Sequence, residues 1–252
     1  MWRGWFRALF RWVGQGMAGL GEWVRRQVLY PSDRLAARLR KEGLTYLGLA
    51  KLARIEAEMA RLAASGVPGE FLEFGVALGG SGIVIARQAR AVGRGFAGFD
   101  VFGMIPPPTS DKDDDKSRQR YSVISTGKAK GLAGEVYYGY VDDLYARVRA
   151  SFAKYGVAVN QDSVALVKGL FEDTWPTRPH RPVAFAHIDC DWYDPVKFCL
   201  NAVADRLSPG GAIALDDYHD YGGCKVATEE FLSERPDFER AEGENLILRR
   251  KP

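Results

Sequence analysis

Two stretches leave this chain little freedom in how it can fold. Phe185-Ala186-His187-Ile188 and Ile213-Ala214-Leu215 are short apolar runs of the kind that fill buried parallel strands. Each stops abruptly in carboxylates, Asp189 and Asp191 after the first, Asp216 and Asp217 after the second. Between them lie a helix-length segment, Pro195 to Leu207, and a Ser208-Pro209-Gly210-Gly211 turn. That is a βαβ unit, whose parallel strands are commonly neighbours. Ligands in open α/β sheets bind at the carboxyl ends of the strands, so the four aspartates would share one rim. Like charges this close cannot all remain ionised, and a hard divalent cation with oxygen ligands is the simplest remedy. Any one of these aspartates alone reads as a turn or backbone cap. Two acidic strand ends side by side favour metal binding or catalysis.

The segment ahead of them supplies a second constraint. Glu70 to Val76 reads as a strand, Ala77-Leu78-Gly79-Gly80-Ser81-Gly82 as a glycine-rich turn, and Ile83 to Ala91 as the following helix. Glycines there allow positive φ and close approach of a ligand to bare backbone. The turn has no Gly-Lys-Ser/Thr for a nucleoside triphosphate, and its spacing is not the G-x-G-x-x-G of a pyrophosphate binder. Glu73, near the strand end, suits the cation of a sulfonium or amine better than a diphosphate. A second strand, Gly95 to Phe99, ends in Asp100, about 20 positions beyond the glycine turn, where a carboxylate suits two ribose hydroxyls. Its alternative is a cap before a loop.

Residues 101–126 form a polar insertion with Pro106-Pro107-Pro108 and the run Asp111-Lys112-Asp113-Asp114-Asp115-Lys116. Such a run reads as solvated loop, and its position beside the cofactor site makes a mobile lid the alternative. A helix over Asp142–Tyr155, a third strand over Val164–Gly169, a helix from Gly223 to Glu234 and two last strands, Phe238–Ala241 and Asn245–Arg249, complete the order. His187 inside its strand reads as a core residue, Cys190 as packing, and His219 as a weak candidate for substrate contact.

Length and charge bound the rest. With 252 residues, 46% of them hydrophobic, the chain suffices for one large α/β domain plus a helical extension. A net charge of +3, with no basic run interleaved with aromatics in the body of the chain, argues against nucleic acid as the main partner. Cys190, Cys199 and Cys224 lack metal-type spacing and point to a reducing, cytoplasmic compartment. No apolar stretch reaches bilayer-spanning length.

Residues 1–30 stand apart. Trp2, Trp5, Trp12 and Trp23 alternate with Arg3, Arg7, Arg11, Arg25 and Arg26 around a single acid, Glu22, at near-helical spacing. The arginines continue through what would be the apolar region of a signal peptide. Two readings stand: an amphipathic helix resting on anionic lipid, giving peripheral membrane association, or a helix packed on the domain or a second subunit. Residues 31–68 read as a helical cap, helical from Arg34 to Ala64, which covers the substrate mouth or mediates dimerisation; a homo-oligomer is expected.

Taken together, Glu73-Phe74-Gly75-Val76 with Gly79-Gly80-Ser81, Phe99-Asp100, Val167-Lys168-Gly169 with Phe171 to Thr174, His187 to Tyr193, and Pro209-Gly210-Gly211 with Asp216-Asp217-Tyr218 occur in a recognisable order. Over about 69–234 the chain resembles the macrocin O-methyltransferase (TylF-like) family of S-adenosylmethionine-dependent sugar O-methyltransferases. The resemblance implies a class I methyltransferase (Rossmann-like) α/β fold over 69–252, a seven-stranded mostly parallel sheet with its final strand antiparallel, S-adenosyl-L-methionine, and Mg2+. It implies that Asp189, Asp216 and Asp217 hold the metal and that Asp191 is the general base. Glu73, Gly75, Gly79, Ser81, Asp100 and Asp189 would surround the methionine and ribose, with Gly169, Phe171, Glu172 and Asp173 nearer the adenine. Ala77-Leu78 departs from the Trp-Arg pair more common in the family.

The expected reaction is transfer of a methyl group to a hydroxyl of a small-molecule or lipid-linked sugar. A metal-dependent hydrolase of phosphorylated substrates also clusters aspartates at strand ends, and a non-catalytic nucleotide-binding protein is the third alternative.

Overall fold

The computed structural model of the chain describes residues 32–252. The amphipathic segment expected over 1–30, with its membrane contact, lies outside the described residues. Seven strands form one sheet: β1 (Glu70–Phe74), β2 (Phe96–Asp100), β3 (Val164–Lys168), β4 (Val183–Ile188), β5 (Leu207–Leu215), β6 (Phe238–Ala241) and β7 (Leu246–Arg250). Their order is β3-β2-β1-β4-β5-β7-β6, with β7 antiparallel to both neighbours and every other pairing parallel. This is the seven-stranded, mostly parallel class I methyltransferase sheet that the strand pattern and the resemblance predict.

Alternate residues of each central strand feed opposite faces, as the two-residue period of a strand requires. Phe71, Phe96, Phe185 and Ala212 enter the core on one face, and Leu72, Ala97, Ala186 and Ile213 enter the core on the other. The first face is covered by α1 (Ser32–Lys41), α2 (Leu49–Ala64), α3 (Gly80–Ala91) and α5 (Leu144–Lys154), the second by the short α6 (Phe171–Thr174), α7 (Tyr193–Ala204) and α8 (Gly222–Glu234). Residues 32–68 are not a separate cap. Leu39, Leu52, Ile55, Met59 and Leu62 are fully buried in the same core as the sheet. Nor are they one continuous helix, because Gly43 at φ +68° ends α1 and turns the chain, so that the Leu44 carbonyl accepts from Gly80 N at 2.8 Å.

The strand order reverses between β1 and β4, which creates a crevice at their carboxyl ends. Gly75 follows β1 and Asp189 follows β4, and Asp189 N donates to Phe74 O at 2.8 Å. Gly75 has φ +92°, and a Cβ there would overlap the Asp189 carbonyl oxygen. The glycine turn therefore sits directly on the acidic tip. Gly75→Ala is expected to destabilise the chain by about 3 kcal/mol or more, read from denaturant unfolding, because the added methyl meets rigid backbone at a disfavoured φ. Unchanged unfolding would contradict that close approach.

The helix after the turn begins at Gly80 rather than Ile83, so Gly80-Ser81-Gly82 are its first turn, with Gly79 as N-cap. The reason lies beneath it. The fully buried Glu73 side chain occupies the space a Cβ at Gly82 would need.

The insertion over 101–126 is not plain solvated loop, and several of its residues line a cavity at the strand tips. Its second half is α4 (Asp115–Ser125), and its first half is fastened to the loop carrying Asp191. Trp192 Nε1 donates to Pro106 O at 2.9 Å, Thr109 Oγ1 to Asp194 Oδ2 at 2.6 Å, and Tyr193 N to Asp113 Oδ1 at 2.9 Å. Asp114 caps α4 through Ser117 N and accepts from Gly222 N, both at 2.8 Å. Consecutive aspartates thus close the N-termini of α7 and α8, where unpaired N–H groups and the helix dipole favour carboxylates. Gly223 is needed here, since a Cβ would collide with the buried Asp113.

Candidate active site

Between the strand tips, α2 and α4 lies a cavity of about 680 Å³. One end of it is lined by Asp100 at the tip of β2 and by Leu170, Phe171 and Glu172 after β3, the middle by Gly75 and Ala77, and the acidic end by Asp189, Asp191, Asp216 and Asp217. An aromatic wall of Tyr46, Tyr137, Tyr138, Trp192 and Tyr221 closes the far side.

Asp100 performs the capping role and lines the cavity as well. Its Oδ2 accepts from Val76 N and Ala77 N, each at 2.8 Å, and its Oδ1 from Phe102 N at 2.6 Å. Burial raises its pKa, and these donors pull it back down. Ala77, where the chain departs from the family pattern, holds φ +46° and presents its N–H to that carboxylate. Phe171 packs edge-on against Phe74, with centroids 5.4 Å apart. Five of the residues assigned to the cofactor are not on the cavity wall: the fully buried Glu73 in β1, Gly79 and Ser81 at the start of α3, and Gly169 and the exposed Asp173 after β3.

At the acidic end, one oxygen from each of Asp189, Asp216 and Asp217 lies within 4.8 Å of the others. Burial raises Asp189 and Asp217 well above the usual carboxylate range, and neighbouring aspartates raise them further. Asp216 differs. Burial would raise it too, but His187 and Lys51 hold it below its ordinary value. Asp216 Oδ1 is buried without a hydrogen-bond partner among the described residues. Three converging hard oxygens, two on carboxyls that burial and like charge raise and one orphaned, fit a divalent cation.

Asp191 sits beside this set at φ +59°, a left-handed conformation that a non-glycine residue adopts mainly where surrounding structure imposes it. Asp217 Oδ2 accepts from Asp191 N at 3.1 Å and helps to impose it. Burial and the charge of Asp216 push the Asp191 carboxyl up to about 7, against the opposing pull of Arg120.

His187 is a core residue with an electrostatic task. Its Nδ1 lies 3.1 Å from Glu73 Oε1 and its Nε2 lies 4.0 Å from Asp216 Oδ1. Burial alone would lower its pKa, but Asp216 and Glu73 on either side raise it to about 10. Glu73 itself stays raised, because its complete burial outweighs the pull of the imidazolium. Asp216 and Glu73 thus flank His187 at the acidic end of the cavity. His219 turns away, 3.0 Å from the Gly243 carbonyl, and Cys190 is buried with Cys199 in one apolar cluster.

Three cations on the cavity wall escaped the sequence reading. Lys51 of α2 donates to Asp216 Oδ2, Asp216 O and Asp220 Oδ2, each at 3.0 Å. Lys116 and Arg120 reach in from α4. For Lys51 nothing local distinguished it from a solvated lysine beside an apolar stripe. For the other two, the four-residue spacing on a helix was the available signal.

Comparison with known proteins agrees with this geometry. The family model described as macrocin-O-methyltransferase (TylF) matches residues 25–237. The 8-demethyl-8-(2,3-dimethoxy-alpha-L-rhamnosyl)-tetracenomycin-C 4'-O-methyltransferase of Streptomyces olivaceus is 30% identical over 191 residues, covering 71% of this chain and 67% of that protein. The mycinamicin III 3''-O-methyltransferase of Micromonospora griseorubida is 29% identical over 196 residues, 74% of this chain and 69% of that one. Among solved structures, the O-methyltransferase NovP superposes with a TM-score of 0.69 at 24% identity, covering 85% of this chain and 88% of that one. A match over most of the chain, with the glycine turn and acidic strand tips meeting in one cavity, carries the conclusion: this chain belongs to the macrocin-O-methyltransferase (TylF) family and is an S-adenosylmethionine-dependent O-methyltransferase.

Proposed function

We propose that the chain methylates a hydroxyl of a sugar within a glycoside, glycolipid or other glycoconjugate, with magnesium held by Asp189, Asp216 and Asp217 and with Asp191 as general base. The observation that carries this reading is the meeting of the glycine turn with four carboxylates at the β1/β4 crevice. The name of the tetracenomycin relative specifies a rhamnosyl-bearing substrate, which supports a sugar acceptor here.

A sugar hydroxyl is far too weak an acid to attack a methyl group unaided. Bound magnesium would supply Lewis acidity that lowers the pKa of a chelated hydroxyl. The remaining work falls to the chain. Asp191, its carboxyl pushed up to about 7, would take the hydroxyl proton as the oxygen attacks. The aromatic wall offers apolar faces to a pyranose ring and excludes water, and Asp100 with the glycine turn fixes the donor so that oxygen, carbon and sulfur align.

Calorimetry with S-adenosylhomocysteine, with and without magnesium, tests both halves. The nucleoside is expected to bind in either condition, and magnesium to alter acceptor turnover rather than abolish nucleoside binding. Absence of nucleoside binding at every magnesium level overturns the reading. The hydrolase alternative predicts turnover of a phosphorylated substrate with no methyl donor present.

A further inference from the structure

We propose that the acceptor carries an oxyanion, a phosphate ester or a carboxylate, and that Arg120 of α4 with Lys116 one turn earlier forms its subsite. This rests on the methyltransferase reading above and adds the charge class of the substrate.

The cations of the cavity differ in one respect. Lys51 is saturated, with two carboxylates and a carbonyl at 3.0 Å. Arg120 lines the same cavity, yet among the described residues it makes no hydrogen bond and no ion pair; its guanidinium lies 5.6 Å from the centroid of the buried Tyr137 ring. Arg120 and Asp191 line the same cavity with no hydrogen bond or ion pair between them, so a gap separates the arginine from the proposed base. The acceptor ring belongs in that gap.

The contrast within α4 sharpens the point. Arg118, two residues earlier on the exposed side, pairs with Asp115 at 3.6 Å and reaches the Ser110 carbonyl. The half-buried Arg120 instead lines the cavity with the exposed Lys116 and the buried Ile124, spaced four residues apart along the helix. Lys116 lies over the Tyr221 ring at 4.7 Å and spends one donor on the Asp220 carbonyl, leaving two free. Neither cation hangs on a loose helix, because Asp114 caps α4 and ties its start to α8.

A planar guanidinium beside an aromatic ring on a cavity wall, with no hydrogen-bond partner among the described residues, is suited to paired oxygens. A neutral sugar would cover Arg120 without meeting its charge, which is costly when water is excluded. An acceptor bearing phosphate or carboxylate offers the missing partner, while its hydroxyl remains beside Asp191.

The test uses the full chain loaded with S-adenosylhomocysteine and magnesium. Inorganic phosphate, a set of sugar 1-phosphates, a set of uronates and the matching methyl glycosides are titrated calorimetrically into wild type, Arg120→Gln and Arg120→Lys. At least one anion class is expected to bind wild type more tightly than the neutral glycosides, to lose about tenfold or more in Arg120→Gln, and to recover partly in Arg120→Lys. Retained S-adenosylhomocysteine affinity shows that the variants are folded. A response to phosphates alone assigns an ester, and a response to uronates alone assigns a carboxylate. Failure of both classes to bind, or equal binding to Arg120→Gln, overturns the subsite. Loss of S-adenosylhomocysteine binding in wild type strikes instead at the reading beneath it.

Discussion

Asp191→Asn is expected to lower turnover by roughly two to four orders of magnitude, the usual scale for removing a general base. Asparagine keeps the size and a polar tip, and it tolerates the left-handed conformation at φ +59° almost as well as aspartate. The loop and its hydrogen bond from the residue 191 amide to Asp217 should persist, so S-adenosylhomocysteine and magnesium affinities should stay close to wild type. The pH profile provides the sharper readout. The carboxyl is pushed up to about 7 in the metal-free chain, and a base works only when ionised. Activity should therefore rise with pH through an acid limb at or below about 7, lower when magnesium adds positive charge nearby, and the variant should lack that limb. Turnover within a few-fold of wild type, or an unchanged limb in the variant, would reject the role.

The second large effect is expected from Asp217→Ala. Losing a direct oxygen ligand should raise the magnesium concentration for half-maximal activity by at least about a hundredfold, the upper end of the range seen when only a supporting partner of a metal ligand is lost. Stability should respond differently. Asp217 is buried beside Asp191, Asp189 and Asp216, and these raise its pKa well above the usual range. A carboxyl raised in the folded state stabilises below its unfolded pKa and loses that contribution as pH rises toward its folded value. At neutral pH, Asp217→Ala should leave the metal-free chain no less stable than wild type while crippling its response to magnesium. An unchanged magnesium titration would count against ligation, and a collapse in stability would mark the residue as structural.

Most of the fold was legible because strands buried on both faces write themselves as apolar runs, and their ends show as abrupt charge. The runs ending in Asp189 and Asp216 became adjacent parallel strands, paired from Val183/Leu207 to Ile188/Leu215. The insertion was less legible. Its acidic run looks like solvated loop by charge alone, yet Asp113 is buried and accepts from the amide of Tyr193, 80 residues later, while Asp114 accepts from the amide of Gly222, 108 residues later. The start of α3 was misplaced by three residues for a similar reason, since glycine propensity argues for a turn while packing over Glu73 demands small side chains in a helix.

The sequence by itself determined the element order, the acidic strand tips and the glycine turn, since each depends on local periodicity and on residues a few positions apart. Tertiary structure alone decided what surrounds them. The reversal of strand order at β1/β4 seats Gly75 on Asp189, α2 brings Lys51 165 residues along the chain to Asp216, and α4 places Arg120 on the cavity wall and Arg118 off it. His187 likewise has its pKa raised only because folding sets Glu73 and Asp216 on either side of it in the buried interior. Side-chain identity is carried locally, but ionisation and pairing depend on the neighbours that folding supplies.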